Sequence, residues 1–134
     1  MFLLDTDVLS ALRRRERNPT IIGWVEAQRT TDLYLSVITV GEIERGISLQ
    51  RRRNASFANE LAIWFDRVLY WYQDRIIIVD AATARRWGQL SATLGHDSVD
   101  LLIAASALEN GLSVVTRNVR HFEPTGVSVL NPFE

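Results

Sequence analysis

Cysteine is missing from this chain, and so is lysine. Without a thiol there is no disulfide framework, no thiolate nucleophile and no cysteine zinc site, a composition that fits a reducing cytosol. Without lysine, every mechanism that needs a lysine amine is excluded. All fifteen basic residues are arginine, and against sixteen acids they leave a net charge of −1. The protein as a whole is therefore not a basic nucleic-acid coat. Long apolar runs are also absent. The longest uncharged apolar stretch, LLIAASAL at 101–108, is far too short to span a bilayer. No basic segment precedes the first apolar run, which Asp5 interrupts, so a signal peptide is not expected. A cytoplasmic protein without membrane contact is the expectation. At 134 residues, 47 % apolar and 23 % charged, the chain has the size and composition of one domain over 1–134 with a real core.

What is present alternates. Residues 1–4 read as a short buried strand and 7–15 as a helix. Asn18-Pro19 starts a second helix, with proline at its first position, running to residue 28. Residues 33–36 alternate like a strand, and a helix is expected from Thr39 to Arg53. Residues 55–72 form an aromatic-rich helix with Phe57, Leu61, Trp64, Phe65, Val68 and Tyr72 on one face. The surplus Ile63, Tyr70 and Trp71 widen the stripe beyond one core contact and read as a partner surface. Residues 76–79 are the clearest β run. Asp80 can cap the helix after it, which Gly95 stops. A helix over 97–110 ends at Gly111, strands follow at 112–115 and 127–130, and a short turn or helix lies at 118–122. Strands alternating with helices predict an α/β fold: a three-layer α/β/α sandwich around a mostly parallel central sheet.

Ligands of such sheets bind at the carboxyl ends of the strands, and acids fall there. Asp5 ends the first strand, and Thr116-Arg117-Asn118 ends the strand SVVT. Asp100 lies in the first turn of the helix before SVVT, and Glu42 follows strand 33–36. Each acid alone has a structural reading. Thr39 and Glu42 fit a capping box, Asp97 and Asp100 have similar spacing, and Asp5 or Asp7 could cap the first helix. Together, carboxylates brought to one edge repel and raise one another's pKa unless a cation neutralises them. Oxygen ligands, with no cysteine and two histidines, point to Mg²⁺ or Mn²⁺ rather than zinc. Such a metal can activate water and polarise a phosphoryl oxygen, which points to phosphodiester hydrolysis.

Four blocks, LLDTDVLS, SVITVGEIERGI, VDLLIAASALENGLSVVTRNVRHF and VSVLNPF, resemble in order and spacing a PIN domain. More narrowly they resemble the VapC-type toxins of toxin–antitoxin pairs, in the FitB-like branch. The resemblance runs from residue 2 to 133. It implies a PIN-like fold and an endoribonuclease that cuts RNA, in which Asp5, Glu42 and Asp100 bind Mg²⁺ or Mn²⁺, Glu42 directly or through water. It implies a homodimer and a cognate VapB-like antitoxin that holds the enzyme inactive. The family commonly has a further acid at the position of Asn118 or shortly after it, where Asn118 and His121 stand here, and an asparagine where Asp7 stands. Asn118 would then serve the site without charge, and Asp7, otherwise a helix-start residue, could take an outer role. Thr6 and Thr116 match positions that orient water or phosphate, and Arg117 is the candidate for substrate phosphate. The clusters Arg13-Arg14-Arg15 with Arg17, and Arg51-Arg52-Arg53, read either as solvated helix ends or as RNA contacts.

Two other chemistries compete. Asp5-Thr6-Asp7-Val8 also fits the nucleophile motif of haloacid-dehalogenase-type phosphatases. Those need a cation, usually lysine, and a late acidic pair beside a strand; lysine is absent, and although arginine can substitute, no late acidic pair follows a strand. A phospho-receiver domain fails for the same missing lysine. A non-catalytic PIN-like module, acting only through RNA or antitoxin binding, is the remaining alternative.

Overall fold

In the computed structural model, which describes residues 1–133, the strand β1 (Phe2–Leu4) is central. It pairs in parallel with β2 (Leu33–Ser36) on one side and β4 (Ser113–Val115) on the other. β3 (Ile76–Ile77) and β5 (Val129–Leu130) form the edges, giving the order 3-2-1-4-5 with every pair parallel. A parallel sheet covered on both faces requires apolar residues at successive positions. Leu3, Leu4, Val114 and Val115 meet that requirement, all at 0 % exposure. Leu4 and Val115 join a core with Val8, Leu9, Ile21, Ile43, Ile47 and Phe65. These come from α1 (Thr6–Leu12), α2 (Pro19–Ala27), α3 (Val37–Arg51) and α4 (Ala55–Tyr72). Leu3 and Val114 turn to the opposite face, onto Ile103, Ala104, Ala107 and Phe122. Those belong to α6 (Val99–Asn110) and α7 (Val119–Phe122), and α5 (Ala81–Leu94) packs against α6. The three layers expected from the alternation are present.

Several boundaries differ from the pattern reading, each for a local reason. The helix expected from Thr39 begins at Val37, because Ser36 at the end of β2 is itself the N-cap, its hydroxyl accepting from Ile38 N at 3.1 Å. Thr39 is buried and Glu42 lies in the second turn, so their capping box does not form. The helix expected from Asp97 starts at Val99, after Ser98. The run 76–79 pairs only at Ile76–Ile77; beyond the edge of β2, Ile78 is 66 % exposed. Asp80 does cap α5, accepting from Thr83 N at 2.9 Å. Gly95 and Gly111 stop their helices with φ of 79° and 65°, the left-handed geometry that glycine adopts without strain.

Arginine also does structural work here. The Arg75 guanidinium donates to the carbonyls of Thr30, Leu33 and Trp71, and lies over the Tyr72 ring at 4.7 Å. One planar fork thus ties the end of α4 to the start of β2 while its face lies on the Tyr72 ring. Among the described residues no helix is long and apolar enough to cross a membrane.

Burial separates the aromatics of α4 into two classes. Phe65 is 2 % exposed, whereas Trp71 is 72 % exposed. Phe65→Ala is expected to cost about 3–5 kcal/mol of unfolding free energy. Trp71→Ala should change it by no more than about 0.5 kcal/mol. Urea unfolding of both variants checks the pair.

Candidate active site

Strand order places one crevice. From β1 the chain winds outward to β2 and β3, then returns to the other side for β4 and β5. The carboxyl ends of β1 and β4 therefore flank the point where the winding reverses, where open α/β sheets bind ligands. Asp5 is the residue after β1, and Thr116 the residue after β4. Their strands bring them together: Asp5 N donates to Val115 O at 2.9 Å, and Thr116 Oγ1 donates to Asp5 Oδ2 at 2.8 Å. The other carboxylate oxygen accepts from Thr6 N at 2.8 Å, so Asp5 is also the N-cap of α1.

Asp5 is 4 % exposed, and burial pushes its carboxyl up to about 7; the neighbouring charges of Asp7 and Asp100 push the same way, against the bonds from Thr116 and Thr6. Burial also raises Asp7, with Asp100 adding to the effect, while Arg117 N opposes it. Asp7 Oδ2 accepts from Arg117 N at 3.1 Å and lies 3.5 Å from Asn118 Nδ2. Among the described residues its Oδ1 is buried and has no hydrogen-bond partner. An unpaired buried carboxylate oxygen is costly, and a cation beside it would remove that cost.

Two further acids arrive on helices. α3 follows β2 directly and carries Glu42, whose Oε1 accepts from Thr6 Oγ1 at 2.6 Å. The Thr6 hydroxyl lies 3.1 Å from that of the buried Thr39. α6 runs back along β4, so its first turn, with Asp100, stands at the carboxyl edge. Asp100 Oδ2 is 2.9 Å from His121 Nδ1. Among the described residues no three carboxylate or imidazole groups stand close enough together to form a ready-made metal cage. Glu42 and Asp100 are instead directed to Thr6 and His121. The donor set itself, carboxylates with one oxygen of Asp7 left unpaired among the described residues, fits a hard divalent cation.

The site opens into a groove of about 770 Å³, with Asp7 and Glu42 at one end and Arg13, Arg14, Arg52, Arg53, Phe57 and Trp64 further along. Arg13 lies over the Phe57 ring at 5.2 Å. Both arginine clusters expected at helix ends thus contribute side chains to this groove.

The structure brings Asp5, Thr6, Thr116, Arg117 and Asn118 into one constellation, with Glu42 joined through Thr6. Asp100 couples to it through charge. Asp97 is exposed and does not cap α6. Of the two candidate caps of α1, Asp5 is the one that serves; Asp7 stands in the first turn of that helix and turns toward the loop after β4. The two-residue spacing of Asp5 and Asp7 was the available signal. Nothing local in the sequence marks the pairing of His121 with Asp100, or Thr39 beneath Thr6.

A family model for the PIN domain matches residues 2–126. The chain is 37 % identical to the plasmid stability protein StbB of Pseudomonas syringae pv. tomato. It is 34 % identical to the VapC ribonuclease Y4jK of Sinorhizobium fredii. Both matches cover 100 % of this chain and 99 % of the relative. The crystal structure of FitAcB from Neisseria gonorrhoeae matches with a TM-score of 0.89 at 32 % identity, covering 100 % of this chain and 99 % of that one.

Because Asp5 is raised from 3.8 to about 7, folding favours its neutral form. That contribution is full below about pH 4 and is lost as pH rises to about 7. Asn keeps an oxygen for Thr6 N and an amide for Thr116 but carries no charge. Without metal, Asp5→Asn is therefore expected to be more stable than the parent above pH 7, by at most about 4 kcal/mol, and to lose that advantage near pH 4. Adding Mn²⁺ should raise the parent's melting temperature and leave the variant's unchanged. Thermal melts across pH, with and without Mn²⁺, test both.

Proposed function

The chain belongs to the PIN-domain family, among its VapC- and FitB-type toxin ribonucleases, and from that membership we propose that one PIN domain spans it and that Asp5, Glu42 and Asp100 hold Mg²⁺ or Mn²⁺ for hydrolysis of RNA phosphodiester bonds. The observation that carries the reading is Asp5, buried beside Asp7 at the reversal of strand order, with one oxygen of Asp7 unpaired among the described residues. When bound, the cation lowers the pKa of a water and polarises a phosphoryl oxygen. Thr116 fixes the rotamer of Asp5, and Thr6 steers Glu42. His121 holds Asp100. Asn118 N donates to Thr116 Oγ1 at 3.0 Å, so the loop after β4 braces the hydroxyl that braces Asp5. The Arg117 guanidinium takes substrate phosphate.

The family also supplies partners. A cognate VapB-like antitoxin would occupy the groove and hold the enzyme inactive in the cytoplasm. A second copy of the chain suits the exposed Ile63, Tyr70 and Trp71 of α4, which are 57, 69 and 72 % exposed. Large apolar side chains clustered on a surface mark a contact.

The protein, freed of any co-purifying partner, should fragment total RNA in Mn²⁺ or Mg²⁺ and stop on chelation. Asp5→Asn, Glu42→Gln and Asp100→Asn are each expected to lower the rate at least about a hundredfold while circular dichroism stays unchanged. An active Asp100→Asn enzyme would remove that residue from the site. A folded protein that neither cleaves RNA nor binds metal would be a non-catalytic binding module.

A further inference from the structure

Arg117 is fixed at both ends. Its backbone N–H holds Asp7 in the acid cluster, while its guanidinium carbon lies 3.9 Å from the centre of the Phe133 ring. Among the described residues the guanidinium makes no ion pair. It lines the long groove on one side, and on the other a polar pocket of about 300 Å³ with Asn118, Arg120, His121 and Asn131. Among the described residues no carboxylate lines that pocket. Phe133 is itself anchored: its ring packs against the apolar core under α1–α4, and its backbone N donates to Asn131 Oδ1 at 2.9 Å.

An aromatic face holds a guanidinium without neutralising it. The ring occupies the flat face of the cation and leaves the N–H donors along its edge, the part that binds phosphate. A carboxylate partner would compete for those donors. We propose that Phe133 is a positioning residue for the substrate: its ring sets the Arg117 guanidinium between groove and side pocket, where it takes an RNA phosphate next to the acid cluster. This rests on the reading of Arg117 as a phosphate ligand.

The test is binding of a fluorescein-labelled, mixed-sequence single-stranded RNA to the antitoxin-free protein, by anisotropy in EDTA over a range of salt. Arg117→Gln should weaken binding about tenfold and reduce the salt slope by about one. Phe133→Leu keeps apolar bulk but removes the π face; it should weaken binding about two- to fivefold, with a melting temperature within a few degrees of the parent. Phe133→Tyr should restore parental binding. In an Arg117→Gln background, Phe133→Leu should add nothing. No RNA binding by the parent, or parental binding by Arg117→Gln, overturns the phosphate reading and the proposal with it. Weakening by Arg117→Gln with parental binding by Phe133→Leu overturns the role of Phe133 alone. Equal losses for Phe133→Leu in both backgrounds, or for Leu and Tyr alike, also overturn that role.

Discussion

A carboxylate with 4 % of its surface exposed is the constraint around which this molecule is arranged. Asp5 caps a helix with one oxygen and accepts the Thr116 hydroxyl with the other. Both bonds require β1 and β4 to be neighbours with aligned carboxyl ends, although 111 residues separate Asp5 from Thr116 in the chain. The pairing of Leu4 with Val115 sets that alignment. The hydrophobic core thus positions the charge, and its free energy offsets the cost of burying it. A surface aspartate would form at no such cost, but it would not exchange a proton near neutral pH.

Around that point the acids are held by three kinds of group: threonine hydroxyls, an imidazole and a backbone N–H. Thr116 binds Asp5, Thr6 binds Glu42, His121 meets Asp100, and a backbone N–H binds Asp7. None of these partners except His121 can bring a formal charge. Neutral donors orient carboxylates without cancelling their field, so the cluster keeps its attraction for a cation. The two threonines that follow strands are central to this. Each has a hydroxyl short enough to reach a carboxylate from the strand end, and neither adds a cation that would compete with a metal.

The layers were legible in the sequence because their cause is periodic. Leu3-Leu4 and Val114-Val115 are adjacent apolar pairs in short runs closed by polar residues, as strands of a sheet covered on both faces require. The glycine stops at Gly95 and Gly111 were legible because positive φ singles out glycine. The start of α3 was not, since Ser36 and Thr39 are both competent caps and spacing favoured Thr39 with Glu42. What decided it was the strand: β2 ends at Ser36 with its chain already turning, and Thr39 is drawn into the core. For the site, Asp5, Glu42, Asp100 and the Thr116–Asn118 loop could be gathered from topology, because strand ends and helix starts share an edge. Contacts between distant side chains, such as His121 with Asp100 and Phe133 with Arg117, leave no periodic trace. They depend on rotamers that only the assembled edge selects.

The least expected pair is Asp7 and Asn118. Their side chains meet across the crevice: Asn118 Nδ2 lies 3.5 Å from Asp7 Oδ2. An amide facing a carboxylate orients it without cancelling its charge. On α1, the acid stands two residues from Asp5 and is clamped by Arg117 N, and among the described residues its second oxygen is buried and unpaired. After β4, Asn118 is a neutral donor beside Arg117. Under the proposed chemistry, substrate phosphate approaching that loop meets a guanidinium and an amide, so that a negative wall that holds the cation is separated from a positive one that receives the RNA.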